Sequence, residues 1–575
     1  MNQHLIVGAA ALLAIAGLAA AQEPGPAALA ESAESEGAFF ETVDVNLVNV
    51  EVYVTDKQGR AITGLTRDDF VILEDGRPVE ITNFFTVEGG MPVLPPPPAA
   101  VAAPALPVGG ALPETVQPLA VPEDQRLYLV VYVDNFNIRP FNRNRVFRRL
   151  REFLTEQLGA EDRVMLVSYD RSLHYRHPFT SSPDLVARAL FELEDLSGHA
   201  IHADSERRDI LREIAEAEAL GEVEYRVRTY AESMYNDLSF SIDAMDEIVT
   251  SLAGLPGRKA LLYVSDGLPA TAADDMFQAL SRSFNTTTVL STAQEFNANR
   301  LFERLAAKAN ANRVTFYTVD AAGLRAPGGS SVELATAAEA GLATFVDSVY
   351  ISNLQAPLLR LAEATGGQAI INTNDVGERL AQVATDFNTY YSLGYPSAHS
   401  GDGRYYKLEV RLAEKLKGAR VRHREGYRDK PITDRMSDGA LATLVYGFED
   451  NPLDLAIRVE ASQPDEEGGS RYYLVDIVVD IPLNRIELVP IGDFHVGQTR
   501  VYFVAMDSEG DTSDVSEVPL ALRIPNAQVA AALQQLYPYR VTLRMRQGPH
   551  RLAVGVVDEI GANRSFLSRS FVVGG

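Results

Sequence analysis

Apolar residues along this chain recur with two different periods, and the change of period divides it. From 126 to about 395, short apolar runs alternate with stretches in which apolar residues fall three and four apart. The run Leu127-Tyr-Leu-Val-Val-Tyr-Val133 precedes 141–158, where Val146, Phe147, Leu150, Phe153, Leu154 and Leu158 keep helical spacing. Arg163-Val-Met-Leu-Val-Ser-Tyr169 follows. A helix is then predicted from Pro183 to Leu196, with Ser182 as its cap and proline at its first position. Further strands are predicted at 259–264, 313–319 and 368–371, and helices near 238–253, 296–310, 354–365 and 376–388. Alternation of this kind predicts a doubly wound α/β domain, placed at 125–430 with its last strands at 404–428.

On either side the period falls to two. Val43, Val45 and Leu47 alternate, Val48-Asn-Val-Glu-Val-Tyr-Val54 follows, and Asp56-Lys-Gln-Gly59 and Glu74-Asp-Gly76 read as turns. These short strands predict a small immunoglobulin-like β module at 40–90. The tail, 431–575, carries Leu474-Val-Asp-Ile-Val-Val479, Arg500-Val-Tyr-Phe-Val-Ala505, Leu520-Ala-Leu-Arg-Ile524 and Leu552-Ala-Val-Gly-Val-Val557, and is predicted to be a β-sandwich. Residues 91–124, with Pro95-Pro-Pro-Pro98, read as a semi-rigid linker. Residues 22–39 read as a disordered spacer. Two insertions interrupt the α/β pattern: a charged helical stretch at 200–237 and an Ala- and Gly-rich stretch at 321–352.

A length of 575 residues implies roughly three or four domains. The formal net charge of −26 argues against nucleic acid and anionic membrane surfaces, since both need a basic face. Residues 1–21 read as a signal peptide, with Leu5 to Ala21 apolar and Ala19-Ala-Ala21 before Gln22 as the cleavage site. A membrane anchor is the rival, but the run is short of the roughly 20 residues needed to span. The mature chain shows no membrane span. The absence of cysteine from an exported chain this long is bacterial in character. The expected location is periplasmic or extracellular.

Two predicted strands end in acid: Asp134 follows Val133, and Asp266 follows Ser265. Loops at the carboxyl ends of such strands form the ligand crevice of an open α/β sheet. Paired carboxylates there suit a hard cation or a protein-docking face. Among the loop histidines His174, His177, His199 and His202, the pair His199 and His202 with Asp204 offers an alternative metal set. Incidental surface histidines are the competing explanation. The cluster Arg139, Arg143, Arg145, Arg148, Arg149 and Arg151 invites an anion-binding reading, but most of it fits the solvent face of a helix, and Gly366-Gly367 fits a helix C-cap. No cysteine nucleophile, G-x-S-x-G elbow, H-E-x-x-H or P-loop is present.

Several stretches carry a family likeness: Val48-Asn-Val-Glu-Val-Tyr-Val-Thr-Asp56, Gly64-Leu-Thr-Arg-Asp-Asp-Phe70, Phe179-Thr-Ser-Ser182, Gly257-Arg-Lys-Ala-Leu261, Leu361-Ala-Glu-Ala-Thr-Gly-Gly367 and Tyr390-Tyr-Ser-Leu-Gly-Tyr-Pro396. With Asp134, Ser265-Asp-Gly267 and Gly426-Tyr427, they resemble the von Willebrand factor A family in its bacterial VWFA-related branch, over roughly 40–428. The resemblance implies a Rossmann-like domain flanked by β-sandwich modules. It also implies a metal-ion-dependent adhesion site, in which a D-x-S-x-S loop, a distant Thr and a later Asp hold Mg²⁺. Asp134 and Asp266 match the two acids, but Phe136 and Ile138 stand where the serines belong. Ser197-Gly-His-Ala200 lacks the Thr.

Mg²⁺ wants six oxygens in near-octahedral geometry. Asp134 and Asp266, helped by Asn135 and Asn137, would hold Mg²⁺ or another divalent cation only weakly, and the loss of three ligands favours a metal-free, degenerate site. The expected function is that of an exported, non-enzymatic protein-binding, adhesion or envelope-assembly protein. Its expected contact face is Asp134, Phe136, His199, His202 and Asp266. The alternatives are a metal-free structural component and a metal-dependent hydrolase using the loop histidines.

Overall fold

The computed structural model describes residues 47–93, 126–159, 161–198, 200–325, 337–399, 401–465 and 472–574. The expected signal peptide and spacer, and the linker beyond Val93, lie outside the described residues. The chain opens with β1 (Leu47–Thr55), β2 (Phe70–Glu74), β3 (Arg77–Val79), β4 (Asn83–Glu88) and β5 (Met91–Val93).

The middle of the chain alternates strand and helix. It runs β6 (Leu127–Asp134), α1 (Pro140–Gln157), β7 (Arg163–Tyr169), β8 (Leu173–Thr180), α2 (Pro183–Glu194), α3 (Ala200–Glu216) and α4 (Leu220–Ser251). It continues with β9 (Arg258–Ser265), α5 (Asp274–Ser283), α6 (Thr288–Ala293), α7 (Asn299–Ala311), β10 (Val314–Asp320), α8 (Ala337–Thr365), β11 (Ala369–Ile370) and α9 (Val376–Asn388). The six strands form one sheet in the order β11-β10-β9-β6-β7-β8, parallel except for the edge strand β8. Strand order therefore reverses between β6 and β9, which places a crevice at their carboxyl ends.

All eight residues of β6 are buried, because alternate side chains enter different layers. Tyr128, Val130 and Tyr132 pack with α4, α7 and α8, whereas Leu127, Leu129, Val131 and Val133 pack with α1, α2 and α9. Gly366, at φ +82°, closes α8, with backbone N–H groups of Gly366 and Gly367 donating to Glu363 and Ala362. The C-cap expected there is what forms.

The flanking β modules differ from the sequence reading. After α9 come β12 (Tyr390–Pro396), β13 (Tyr405–Leu412), β14 (Arg420–Arg422) and β15 (Gly426–Arg428). They join the amino-terminal strands: β1 lies between β12 and β14, and β13 pairs with β2. Val50, Val52, Phe70, Ile72, Tyr391, Leu393 and Val410 share one core. Strands assigned to the α/β domain thus complete the first β module, because neither segment has enough strands to bury its apolar face alone.

The tail is not wholly β. Helix α10 (Ile432–Tyr446) precedes β16 (Ala456–Pro464), β17 (Tyr472–Pro482), β18 (Val489–Ile491), β19 (Phe494–Asp507), β20 (Ser516–Pro525), α11 (Val529–Ala532), β21 (Leu536–Arg546), β22 (Gly548–Asp558) and β23 (Arg564–Val573). Sheet β16-β17-β21 and the sheet of β18, β19, β20, β22 and β23 enclose a common core, as a sandwich. Met436, Ala440 and Leu444 of α10 cover the outer face of the second sheet.

The insertions are helical. Helix α4 runs unbroken through 32 residues, joining the charged insertion to the helix expected at 238–253. Its first half packs Val223, Val227 and Tyr230 against α5 and α6, and its second half packs Ile242, Met245 and Val249 on the sheet. Helix α8 likewise starts inside the second insertion. Pro357 within it lacks the N–H that would bond four residues back. The freed carbonyl of Asn353 accepts instead from Ala270, 3.0 Å away, in the loop after β9. Among the described residues no helix is long and apolar enough to cross a membrane.

Candidate functional site

Asp134 ends β6 with 1 % of its surface exposed. Its Oδ1 accepts the backbone N–H of Asn137 at 3.0 Å, and its Oδ2 accepts the Asn137 side-chain amide at 2.9 Å and the Tyr263 hydroxyl. The Asn137 amide also donates to Ser241 on α4 at 3.2 Å. Burial pushes the Asp134 carboxyl above its usual range, against the pull of these donors. A carboxylate engaged in this way braces its own loop.

Asp266 follows β9 and is 4 % exposed. Its Oδ2 accepts from the Arg139 backbone N–H at 3.1 Å, the Arg139 guanidinium at 2.9 Å and the Asn142 amide at 2.9 Å. Its Oδ1 is buried and finds no partner among the described residues. Burial raises this carboxyl too, opposed first by the charge of Arg139. The same guanidinium reaches α3, where both Asp204 oxygens accept from it at 2.6 Å. Arg139 thus fills the mouth between β6 and β9, with a buried carboxylate beneath it and the insertion's carboxylate beside it. Burial would lower its pKa, but Asp204 and Asp266 outweigh burial and raise it.

A third acid completes the row. Asp320 ends β10 and accepts from Gln355 of α8 at 2.8 Å and from Arg325 at 2.6 Å. Arg325 also donates to the backbone carbonyl of Asp266. Farther out, Arg207 of α3 bonds Asp275 of α5 at 2.8 Å and Asp347 of α8 at 3.2 Å, under the ring of Tyr350. These ion pairs clamp a helical cap, α3 to α6 with the first half of α8, over the carboxyl ends of the sheet.

The expected metal set does not converge. Asn135 turns away from Asp134: its amide donates to the Ser197 carbonyl at 3.1 Å, and its oxygen accepts from Arg143. Asn137 serves Asp134 and Ser241, and Asp266 serves Arg139 and Asn142. No group of three His, Cys, Asp or Glu side chains able to hold a metal occurs among the described residues. The donor set present suits a guanidinium rather than Mg²⁺, which would need oxygens these residues spend on one another.

The expected docking face is also displaced. Phe136 is buried against Tyr169, under Arg171, and Asp134 and Asp266 lie below the cap. None of the three presents a surface to a partner. His199 lies outside the described residues, and only the backbone of His202 is described, within α3. Asp204, the third member of that alternative set, is committed to Arg139. His174 and His177 sit on edge strand β8, bonded to Ser172 and to the Pro178 carbonyl.

Most of the six arginines at 139–151 were expected on a solvent face, and only Arg148 and Arg149 are exposed. Arg143 is fully buried, donating to Asn135 and to the carbonyls of Glu194 and Leu196 at 2.8 and 2.9 Å. Arg145 donates to the Ala321 carbonyl at 2.7 Å. Arg148 and Arg149 do face solvent. Asp320 was detectable, since Val314-Thr-Phe-Tyr-Thr-Val-Asp320 repeats the pattern of a strand ending in acid. Arg139 belongs to an arginine cluster of which most members are expected to face solvent; nothing in its spacing shows that Asp266 and Asp204 meet it.

No family model matches this chain, and no curated protein matches it. Among solved structures, an aerotolerance-related membrane protein from Bacteroides fragilis is similar at 12% identity and a TM-score of 0.22, covering 46% of this chain and 98% of that one. BatB from Bacteroides thetaiotaomicron is similar at 11% identity and a TM-score of 0.19, covering 46% and 98%. A pilus adhesin, SpaC from Lactobacillus rhamnosus GG, shows 8% identity and a TM-score of 0.22, covering 78% and 53%. Likenesses this faint carry no argument about function.

Proposed function

We propose that this chain is an exported, non-enzymatic protein-binding protein built on a von Willebrand factor A-like domain, and that it works without a metal ion. The observation that carries this reading is the Arg139 guanidinium between Asp266 and Asp204. It supplies the positive charge that buried acids at a strand-order reversal would otherwise take from a cation. The strand order of the central sheet and the acids ending β6, β9 and β10 support the family reading, and the apolar stretch before Gln22 supports export.

With the crevice filled, recognition passes to the outside of the helical cap, in adhesion or assembly at the cell envelope. Tyr225 and Phe240 stand on α4 with 79% and 63% of their surfaces exposed, large aromatic contacts of the kind that anchor interfaces. Burial of Asp134, Phe136 and Asp266 favours a second reading, a structural envelope component.

Photo-crosslinking residues placed at Tyr225 and Phe240 in cells separate the two. Discrete adducts that survive chelation are expected for the binding protein. Adducts at neither position would leave the structural reading, and adducts abolished by a chelator would overturn metal independence. Calorimetric titration of the purified chain with Mg²⁺ and Mn²⁺ is expected to show no saturable heat.

A further inference from the structure

Helices α4 and α7 lie side by side on the central sheet, and the groove between them is not filled. Lys308 pairs with Asp246 at 2.6 Å and the Asn312 amide donates to the Val249 carbonyl at 3.0 Å, so the two helices run in the same direction. Beside these contacts lies a hollow of about 780 Å³, its wall completed by Tyr405 of β13 and by Asp434 and Asp438 of α10. A second hollow, lined by Tyr235 and Arg300, adjoins it, because Leu301 and Arg304 line both.

Helical spacing sets the chemistry of one wall. Arg300, Arg304, Ala307 and Ala311 of α7 fall three and four apart and form one stripe, whose two alanines leave space beside them. Arg300 and Arg304 are exposed, and neither makes an ion pair among the described residues. Glu303, their neighbour on the same helix, is taken by Arg360 of α8, whose guanidinium donates to both its oxygens at 2.7 and 2.9 Å. Two guanidinia are thus left without a counter-ion where the hollows meet. Asp243 of α4, also exposed and without an ion pair among the described residues, sets one negative charge in the larger hollow.

We infer that this groove receives an extended acidic segment of a partner protein, in which two carboxylates two residues apart meet Arg300 and Arg304. Side chains four apart on a helix are about 6 Å apart, and alternate side chains of an extended chain are about 6.6 Å apart. An acid-x-acid pair therefore matches the two arginines, each of which can hold a carboxylate through two N–H groups. The 13 residues of α7 span about 20 Å, enough for about six residues of extended chain. The partly buried Tyr235 and Leu301 offer apolar contact beside the charges, which favours a peptide over an anionic polysaccharide. A nucleic acid would meet a chain of net charge −26. Phe240 stands one turn before Asp243 on α4, so the exposed aromatic and the groove serve one partner. The inference rests on the protein-binding reading above and gives that partner its chemistry.

The test uses the full chain and fluorescence anisotropy with a labelled decapeptide of alternating glutamate and leucine, its lysine–leucine counterpart, and alginate as competitor. The glutamate peptide is expected to bind saturably at low salt and to weaken by about tenfold or more in Arg300→Glu/Arg304→Glu, while the lysine peptide does not bind. Because both arginines are exposed and unpaired, melting of the variant should match that of the unaltered chain. Arg300→Gln/Arg304→Gln gives a second reading, with an affinity between the two. No saturable binding, or binding kept by both variants, overturns the proposal. Alginate that binds where the peptide does not would assign the groove to a polysaccharide and overturn it as well. Adducts at Tyr225 and Phe240 without peptide binding would sink this inference and leave the protein-binding reading standing.

Discussion

At the carboxyl ends of the central strands the buried charges are acidic: Asp134, Asp266 and Asp320. At the amino ends they are basic, Arg258 and Lys259, with the half-buried Arg313 just before β10. The winding of the sheet accounts for the opposition. Helices that follow a strand present their N-termini at its carboxyl end, and helices that precede one present their C-terminal carbonyls at its amino end. Arg258 accordingly bonds the last carbonyls of α9, and Lys259 bonds carbonyls just beyond α4. The upper acids answer the opposite polarity; Asp266 and Asp320 are then neutralised by Arg139, just before α1, and Arg325, in the loop after β10, whereas Asp134 is held by Asn137 and Tyr263. One end is held by side-chain ion pairs to a cap, the other by backbone dipoles and a neighbouring β module.

The most severe break should come at the lower end. Arg258→Ala removes a guanidinium stacked 3.7 Å from the Tyr390 ring and orphans two buried carbonyls. A loss of about 3 kcal/mol in global stability is expected from denaturant titration, with the β module and sheet unfolding together.

Arg139→Ala at the upper end should cost about 2 kcal/mol, because Asp266 is left buried without its cation. Here hydrogen exchange is expected to quicken first in α3, with the sheet still protected. Uniform loss of protection would show that the cap and sheet are one unit, against the contrast drawn here.

The two ends should also respond oppositely to pH. Lys259 is depressed by burial, so unfolding takes up a proton between its folded value and about 10.4, and stability rises with pH across that window. Lys259→Met should flatten the alkaline rise in melting temperature. Asp134 is raised by burial, so the folded chain keeps its proton above the unfolded value of about 3.9, and this group makes stability fall as pH rises through that window. Asp134→Asn should cost no more than about 1 kcal/mol and remove that acidic contribution. A steeper acidic slope in the variant would contradict the buried-acid account.

Much of the scaffold was legible. Continuous apolar runs located β6, β7, β9 and β10, and helical spacing located α1, α2, α7 and α9, because period and burial are local properties of sequence. The reading failed where partners lie far apart in the chain. Strands at 390–428 look like a continuation of the preceding α/β pattern until β1 and β2 are seen beside them. Helix α10 was hidden in a tail rich in alternating residues. Asp134 and Asp266 were found as acids at strand ends, but their use was not, since Arg139 carries no mark in the sequence of facing inward.

By itself, then, the order of apolar and polar residues determined that this chain has an alternating α/β centre, β modules around it, and carboxylates at the carboxyl ends of its strands. Tertiary structure alone decided that those carboxylates are covered, and that Asp266 and Asp320 are matched by arginine. The reason is physical. Periodicity records which face of an element is buried, whereas the partner of a buried charge is set by which distant segments meet, and the chain closes the sheet's mouth with α3, more than sixty residues after β6.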